Sequence, residues 1–149
     1  MAMLQSDSQA GDKVSEHPRT EDADEALRSA QEAARLGKID EARDRFRALL
    51  DGRHAAAAYV GLGYLFEKQR QDTRAIEAYG RALQLKPKFA QAHNNLANAY
   101  KRLGDLNRAG TAYRRSLALG VNDPRVTMNL SETLYQQGNL EEAAKLAQE

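Results

Sequence analysis

Leu62, Leu96 and Leu130 stand 34 residues apart. Gly63, Ala97 and Ser131 keep the same step, as do Ala75, Ala109 and Ala143, and Tyr79 and Tyr113. A fixed period of this length marks a solenoid, in which each unit buries its apolar face only against its neighbours. Chains of this kind present long curved surfaces, and binding is the function such surfaces serve. The period constrains both fold and function more than any single residue does.

The composition agrees. Ala, Leu, Arg, Glu and Gln are plentiful and are strong helix formers. The chain has no cysteine, which excludes disulfides, thiolate metal sites and a cysteine nucleophile. No run approaches the roughly 20 apolar residues needed to span a bilayer. Residues 1–22 lack the apolar stretch and early basic cluster of a secretory signal, so a cytoplasmic location is expected. Five acids and two bases in residues 1–22 leave that stretch at −3 and the remainder at +4 of a net charge of +1. That imbalance is too weak to suggest nucleic-acid binding.

Residues 1–22 are polar, carry no apolar period and are expected to be a disordered tail. From Ala23 onward, helical stretches alternate with short breaks at Gly37-Lys38, Asp51-Gly52, Arg70-Gln71, Lys86-Pro87-Lys88, Gly104-Asp105, Gly120 to Pro124 and Gly138-Asn139. Glycine ends helices by adopting a left-handed conformation. Asp40, Asp72, Asp105 and Asn139 stand where they could cap the following helix or occupy its first turn. Pro124 is placed to open a helix. The small residues at 63, 97 and 131 and at 75, 109 and 143 would let antiparallel helices approach closely. Leu62, Leu96 and Leu130, with Phe66, Tyr100 and Leu134 four residues later, form the apolar stripe behind them.

The run Tyr59-x-x-Leu62-Gly63-x-x-Phe66, then Ala75, Tyr79, Ala82 and Pro87, resembles a complete tetratricopeptide repeat. Leu96-Ala97-x-x-Tyr100, Gly104, Ala109, Tyr113 and Leu117 form a second, and Leu130-Ser131-x-x-Leu134, Gly138, Ala143 and Ala147 a third. Ala30, Gly37, Ala42 and Phe46 match one step of 33 upstream, with Ser29 at a position usually large and apolar. The resemblance implies an all-α, right-handed solenoid of antiparallel hairpins with units at 23–55, 56–89, 90–123 and 124–149. Arrays of this type usually end in a polar helix covering the last apolar face. None follows the fourth unit here, so that end is expected to belong to a longer chain or to pack on another molecule, self-association included.

Catalytic chemistry finds little support. His17, His54 and His93 are not paired in a metal-like spacing, and no phosphate loop or nucleophile elbow is present. No catalytic residue, metal or cofactor is predicted. In the family, the first helix of each hairpin lines a concave groove. The resemblance therefore implies groove positions at Arg28, Gln31 and Arg35, at Val60, Gly61, Tyr64 and Lys68, at Gln91, Asn94, Asn95, Asn98, Lys101 and Arg102, and at Arg125, Met128, Asn129, Glu132 and Gln136.

Three asparagines within Asn94–Asn98 are unusual, because asparagine is a poor helix former. Their amides can pair with a peptide backbone whatever its side chains. The segment from His93 to Tyr100 is similar to the superhelical repeats of O-linked N-acetylglucosamine transferase, where such asparagines hold extended polypeptide. The competing reading has these amides solvated or bonded to the neighbouring unit.

The carboxylate clamp of heat-shock cochaperones would need Lys and Asn at Val60 and Tyr64, Asn at Asn95, and bases at Arg125 and Asn129. Only Asn95 and Arg125 match, which disfavours it. The expected function is a non-enzymatic scaffold docking an extended or helical peptide, with some acidic character. Its site is placed at Tyr64, Asn94, Asn95, Asn98, Lys101, Arg102, Arg125 and Asn129. The alternative is the repeat portion of a larger enzyme such as a glycosyltransferase.

Overall fold

The computed structural model describes residues 20–148; of the tail expected over residues 1–22, residues 1–19 lie outside them and residues 20–22 are helical. The described chain is all helical: α1 (Thr20–Arg35), α2 (Ile39–Arg47), α3 (Ala55–Lys68), α4 (Asp72–Leu85), α5 (Ala90–Arg102), α6 (Leu106–Ala118), α7 (Pro124–Gln136) and α8 (Leu140–Leu146). Each odd helix pairs with the next to form a hairpin, and each hairpin packs on the following one. The first helix begins at Thr20, three residues upstream of the boundary read from the apolar pattern.

The turns show why the helices stop where they do. Gly37, Gly104 and Gly138 have φ of 74°, 80° and 80° and close three hairpins at equivalent positions. Arg70 fills that position in the second hairpin with φ 60°, a conformation that a side chain disfavours. The capping differs along the chain. Asp105, Asp123 and Asn139 accept backbone N–H groups at the starts of α6, α7 and α8. The starts of α2 to α5 have no side-chain cap. Asp40 and Asp72 sit inside the first turn, where they complement the helix dipole.

The core is a chain of local clusters, as a solenoid requires. Ala30, Ala42, Phe46, Ala58 and Leu65 join hairpins 1 and 2. Val60, Ala75, Tyr79, Ala82 and Ala92 join 2 and 3, and Ala97, Tyr113, Val126, Leu130 and Leu134 join 3 and 4. Alanine dominates because close helix approach leaves room for little else. Gly63 marks one of the tightest places, since a Cβ there would collide with the buried ring of Tyr79.

Polar contacts also bridge successive hairpins. His54 Nε2 lies 2.6 Å from Asp24. Arg102 of α5 reaches back to Glu67 of α3 and to Asp72 of α4, the latter at 2.7 Å. Burial opposes the charge on Arg102, but the two carboxylates outweigh it and hold its pKa above the ordinary value. Tyr79 donates its hydroxyl to the same Glu67. Burial, helped by that carboxylate, pushes the Tyr79 pKa up. Lys101 bonds Glu132 at 2.5 Å, and Arg114 makes a two-pronged bond to Glu142 at 2.9 Å.

Candidate peptide groove

Two helical positions repeat along the inner wall of the four odd helices. One row runs Arg28, Gly61, Asn95 and Asn129, and its neighbour Gln31, Tyr64, Asn98 and Glu132. Gly61, Asn95 and Asn129 of the first row and Gln31, Tyr64 and Asn98 of the second line two adjoining recesses. The first, of about 280 Å³, is bordered mainly by Ala57, Val60, Gly61 and Tyr64 of α3, with Phe46 and Phe89 entering from neighbouring segments. The second, of about 400 Å³, is bordered by Gln91, Asn94, Asn95, Asn98, Arg125 and Asn129. Gln91 and Asn95 belong to both, so α5 carries the ridge between an apolar sector and a polar one.

Gly61 explains the apolar sector. The ring of Phe46 lies against its backbone where a Cβ would be, and so reaches the inner wall from α2. An asparagine at this point in the row would exclude that ring. Lys68 lies over Tyr64, its ammonium 5.1 Å from the ring centre, which fixes the aromatic edge of the recess.

The asparagines divide by role. Asn98 Oδ1 accepts from the Tyr113 hydroxyl at 2.6 Å and from Asn129 Nδ2 at 3.4 Å. Burial pushes the Tyr113 phenol up to about 12, so it stays a donor at neutral pH. Asn98 therefore organises the wall across two hairpins. Asn94 Oδ1 is buried without a hydrogen-bond partner. Asn95 is half-buried and makes no side-chain hydrogen bond among the described residues. Its amide is free to pair with a ligand, on the ridge shared by both recesses.

The bases placed at the site from sequence are mostly occupied. Lys101 and Arg102 border neither recess and serve the ion pairs between hairpins. Arg125 borders the polar recess but is held by Asp123 at 2.8 Å. Hydrogen bonds from the Arg125 side chain and backbone hold the Asp123 carboxyl below its usual range. Arg28 has no carboxylate partner among the described residues, and Lys68 has only Tyr64. Val60, placed on the groove, is 7% exposed and contributes floor rather than a free side chain. Phe46 and Phe89 were not foreseen as lining residues, although glycine at 61, where the next repeats carry asparagine, was the sign that a ring lies above it. Among the described residues no cluster of three or more metal-ligating side chains occurs.

Comparison with known proteins points the same way. The family described as "TPR repeat" matches residues 71–104, and the one described as "Tetratricopeptide repeat" matches residues 94–149. The chain is 31% identical over 105 residues to a TPR repeat-containing protein of Pseudomonas aeruginosa, covering 70% of this chain and 43% of that one. It is 35% identical over 68 residues to the uncharacterized protein ycf37 of Pyropia yezoensis, covering 46% and 38%. It is 32% identical over 80 residues to the cell division cycle protein 27 homolog of Caenorhabditis elegans, covering 54% and 10%. The chain thus spans less than half the length of these relatives. Among solved structures, MamA superposes with a TM-score of 0.73 at 22% identity, covering 83% of this chain and 73% of that one. The first TPR of Spaghetti (RPAP3) bound to the HSP90 peptide SRMEEVD gives 0.73 at 20% identity, covering 82% and 98%. At such identities the superpositions establish the fold.

Proposed function

This chain belongs to the tetratricopeptide-repeat family, and on that premise we propose that it is a non-catalytic scaffold that holds an extended peptide along its concave groove. The unpartnered Asn95 amide on the ridge between the two recesses carries this reading. A strand laid across it can exchange hydrogen bonds with that amide through its own backbone, independent of its side chains. Asn129, one step along the row, is the second point of contact. This is the use of asparagines that the likeness to the transferase repeats suggested. The apolar recess beside Tyr64 and Phe89 would take one hydrophobic side chain of the ligand. An acidic side chain of the ligand would be drawn to Arg28 of α1 and Lys68 of α3, which lack carboxylate partners among the described residues, rather than to the paired Lys101 and Arg102. The peptide-bound RPAP3 repeat shows that a neighbouring fold accommodates such a ligand.

Peptides selected from a random display library and measured by fluorescence anisotropy test this. Replacing Asn95 and Asn129 together with alanine is expected to weaken binding by about 1–3 kcal/mol, the scale of two hydrogen bonds. Folding should persist, because Asn98 keeps its bond to Tyr113. Arg115→Ala, on the exposed side of α6, is the control. Arg114 is unsuitable for that purpose because it holds α8 through Glu142. If Arg115 matters and the asparagines do not, the ligand uses the other face.

A further inference from the structure

Each first helix rests on the preceding hairpin through positions that repeat with the array. Ala58, Ala92 and Val126 form one set, and Leu65, Ala99 and Thr133 another; all six are buried. In α1 the equivalent residues are Glu25 and Glu32, both exposed. Glu32 is paired with Arg35 at 2.6 Å, while Glu25 makes no ion pair among the described residues; a further hairpin packed there would bury both carboxylates, and burying an unpaired one is costly. The outward face of α1 is therefore acidic, and an apolar face does not pack on it favourably. The face of α7 and α8 is uncovered among the described residues: Met128, Tyr135 and Leu140 are 64%, 66% and 58% exposed. With Ser131, Ala144 and Ala147 they border a groove of about 1130 Å³ that no described residue covers.

This uncovered face is complementary to itself. Met128 and Tyr135 lie two turns apart on one side of α7, with the small Ser131 between them. Laid antiparallel on a second α7, each Met128 meets the other copy's Tyr135, a favourable sulfur–aromatic contact. The same two-fold axis lays α8 on its counterpart, with Ala144 near the axis and Leu140 against the other copy's Ala147. At the rim, Glu141 and Lys145 are exposed and make no ion pair among the described residues. An antiparallel pairing sets each beside its opposite charge. A two-fold interface has this property: residue i meets j, and j meets i. Head-to-tail stacking would instead bring Glu25 and Glu32 onto Met128 and Tyr135.

We propose that the α7–α8 face is the interface of a two-fold homodimer, with the acidic α1 ends pointing outward so that assembly stops at two. Sedimentation equilibrium of the full chain from about 1 to about 500 µM tests it, a range spanning ordinary dimer affinities. A reversible monomer–dimer equilibrium is expected. Met128→Glu with Tyr135→Glu should raise the dissociation constant at least about 100-fold with the helical circular dichroism unchanged. Ala144→Arg, at an exposed position, should do the same and serves if the double variant fails to fold. Glu141→Lys alone should weaken the dimer, and adding Lys145→Glu should restore it. A chain that stays monomeric, grows beyond two, ignores the Met128 and Tyr135 or Ala144 changes, or is not restored by the charge swap overturns the proposal. The readout does not involve the groove, so it stands or falls apart from peptide binding.

Discussion

Hairpins 2 and 4 share one pattern but not one environment. Val60 and Met128 are equivalent, yet the first is 7% exposed and the second 64%. Tyr79 is buried and bonded to Glu67, whereas Ala147, two steps on, is exposed. Among the described residues, hairpin 2 has neighbours on both sides and hairpin 4 has one. In a solenoid, burial belongs to the contact between units rather than to a unit itself. Hairpin 2 is held by rings pressed on Gly61 and Gly63 and by the Glu67–Arg102–Asp72 ion pairs. Hairpin 4 relies more on its helix caps, Asp123 and Asn139, and on the Arg114–Glu142 tie.

The contrast is broken most sharply at the small residues. Gly63→Leu drives a side chain into the Tyr79 ring and is expected to destabilise by about 1–3 kcal/mol. Ser131→Leu loses a 2.8 Å bond to the Ala143 carbonyl, but its hairpin has open space beside it. Less than about 1 kcal/mol is expected there. Urea melts of the two variants decide, and equal losses would mean that the two hairpins are not differently constrained.

A second change would erase the difference between the ends. Glu25→Ala with Glu32→Leu gives α1 the small and apolar surface of α3. Stability should move by no more than about 0.5 kcal/mol, as for most surface changes. Light scattering, however, should reveal concentration-dependent assembly larger than that of the parent chain. Unchanged scattering would show that these acids do not disfavour packing on α1.

The smallest effect concerns acid. Hydrogen bonds from the Arg125 side chain and backbone hold the Asp123 carboxyl below its ordinary value. The Arg108 backbone and side chain do the same for Asp105. A carboxyl depressed in the folded state contributes stability above the unfolded pKa, and that contribution is lost as pH falls through the folded value. Asp24, lowered by His54 and Arg53 against the opposing effect of burial, adds a similar loss at the first end. Asp105→Asn with Asp123→Asn keeps both cap acceptors and removes two titrations. Its melting temperature should therefore fall less than the parent's between about pH 5 and pH 2. Hydrogen exchange should place that difference in α6 and α7, and a uniform change across all helices would contradict this.

The fold was legible because repetition multiplies weak signals. One leucine or glycine says little, but Leu62, Leu96 and Leu130 at equal steps, punctuated by Gly104 and Gly138, specify hairpins. Cap positions were partly legible: Asp105 and Asn139 serve as read, while Asp123 was passed over in favour of the proline beside it. The helix faces were legible, since periodicity orients side chains about an axis, but Lys101 and Arg102 border neither recess and Met128, read as a groove position, lies on the exposed α7–α8 face. The state of each side chain on those faces was not accessible that way. Lys101 and Arg102 have the spacing of ligand-binding bases, yet Glu132, Glu67 and Asp72 on other hairpins engage them.

What the sequence by itself determined is the period, the hairpin order and the face each residue occupies, all of which follow from local helical geometry. Tertiary structure alone decided which polar groups are spent. Asn98 is bound to Tyr113 and Asn129, Asn95 is left free, and Phe46 enters a wall built by α3. It also decided which of the equivalent faces are covered among the described residues, because burial depends on contacts some 30 residues apart along the chain, which no local pattern encodes.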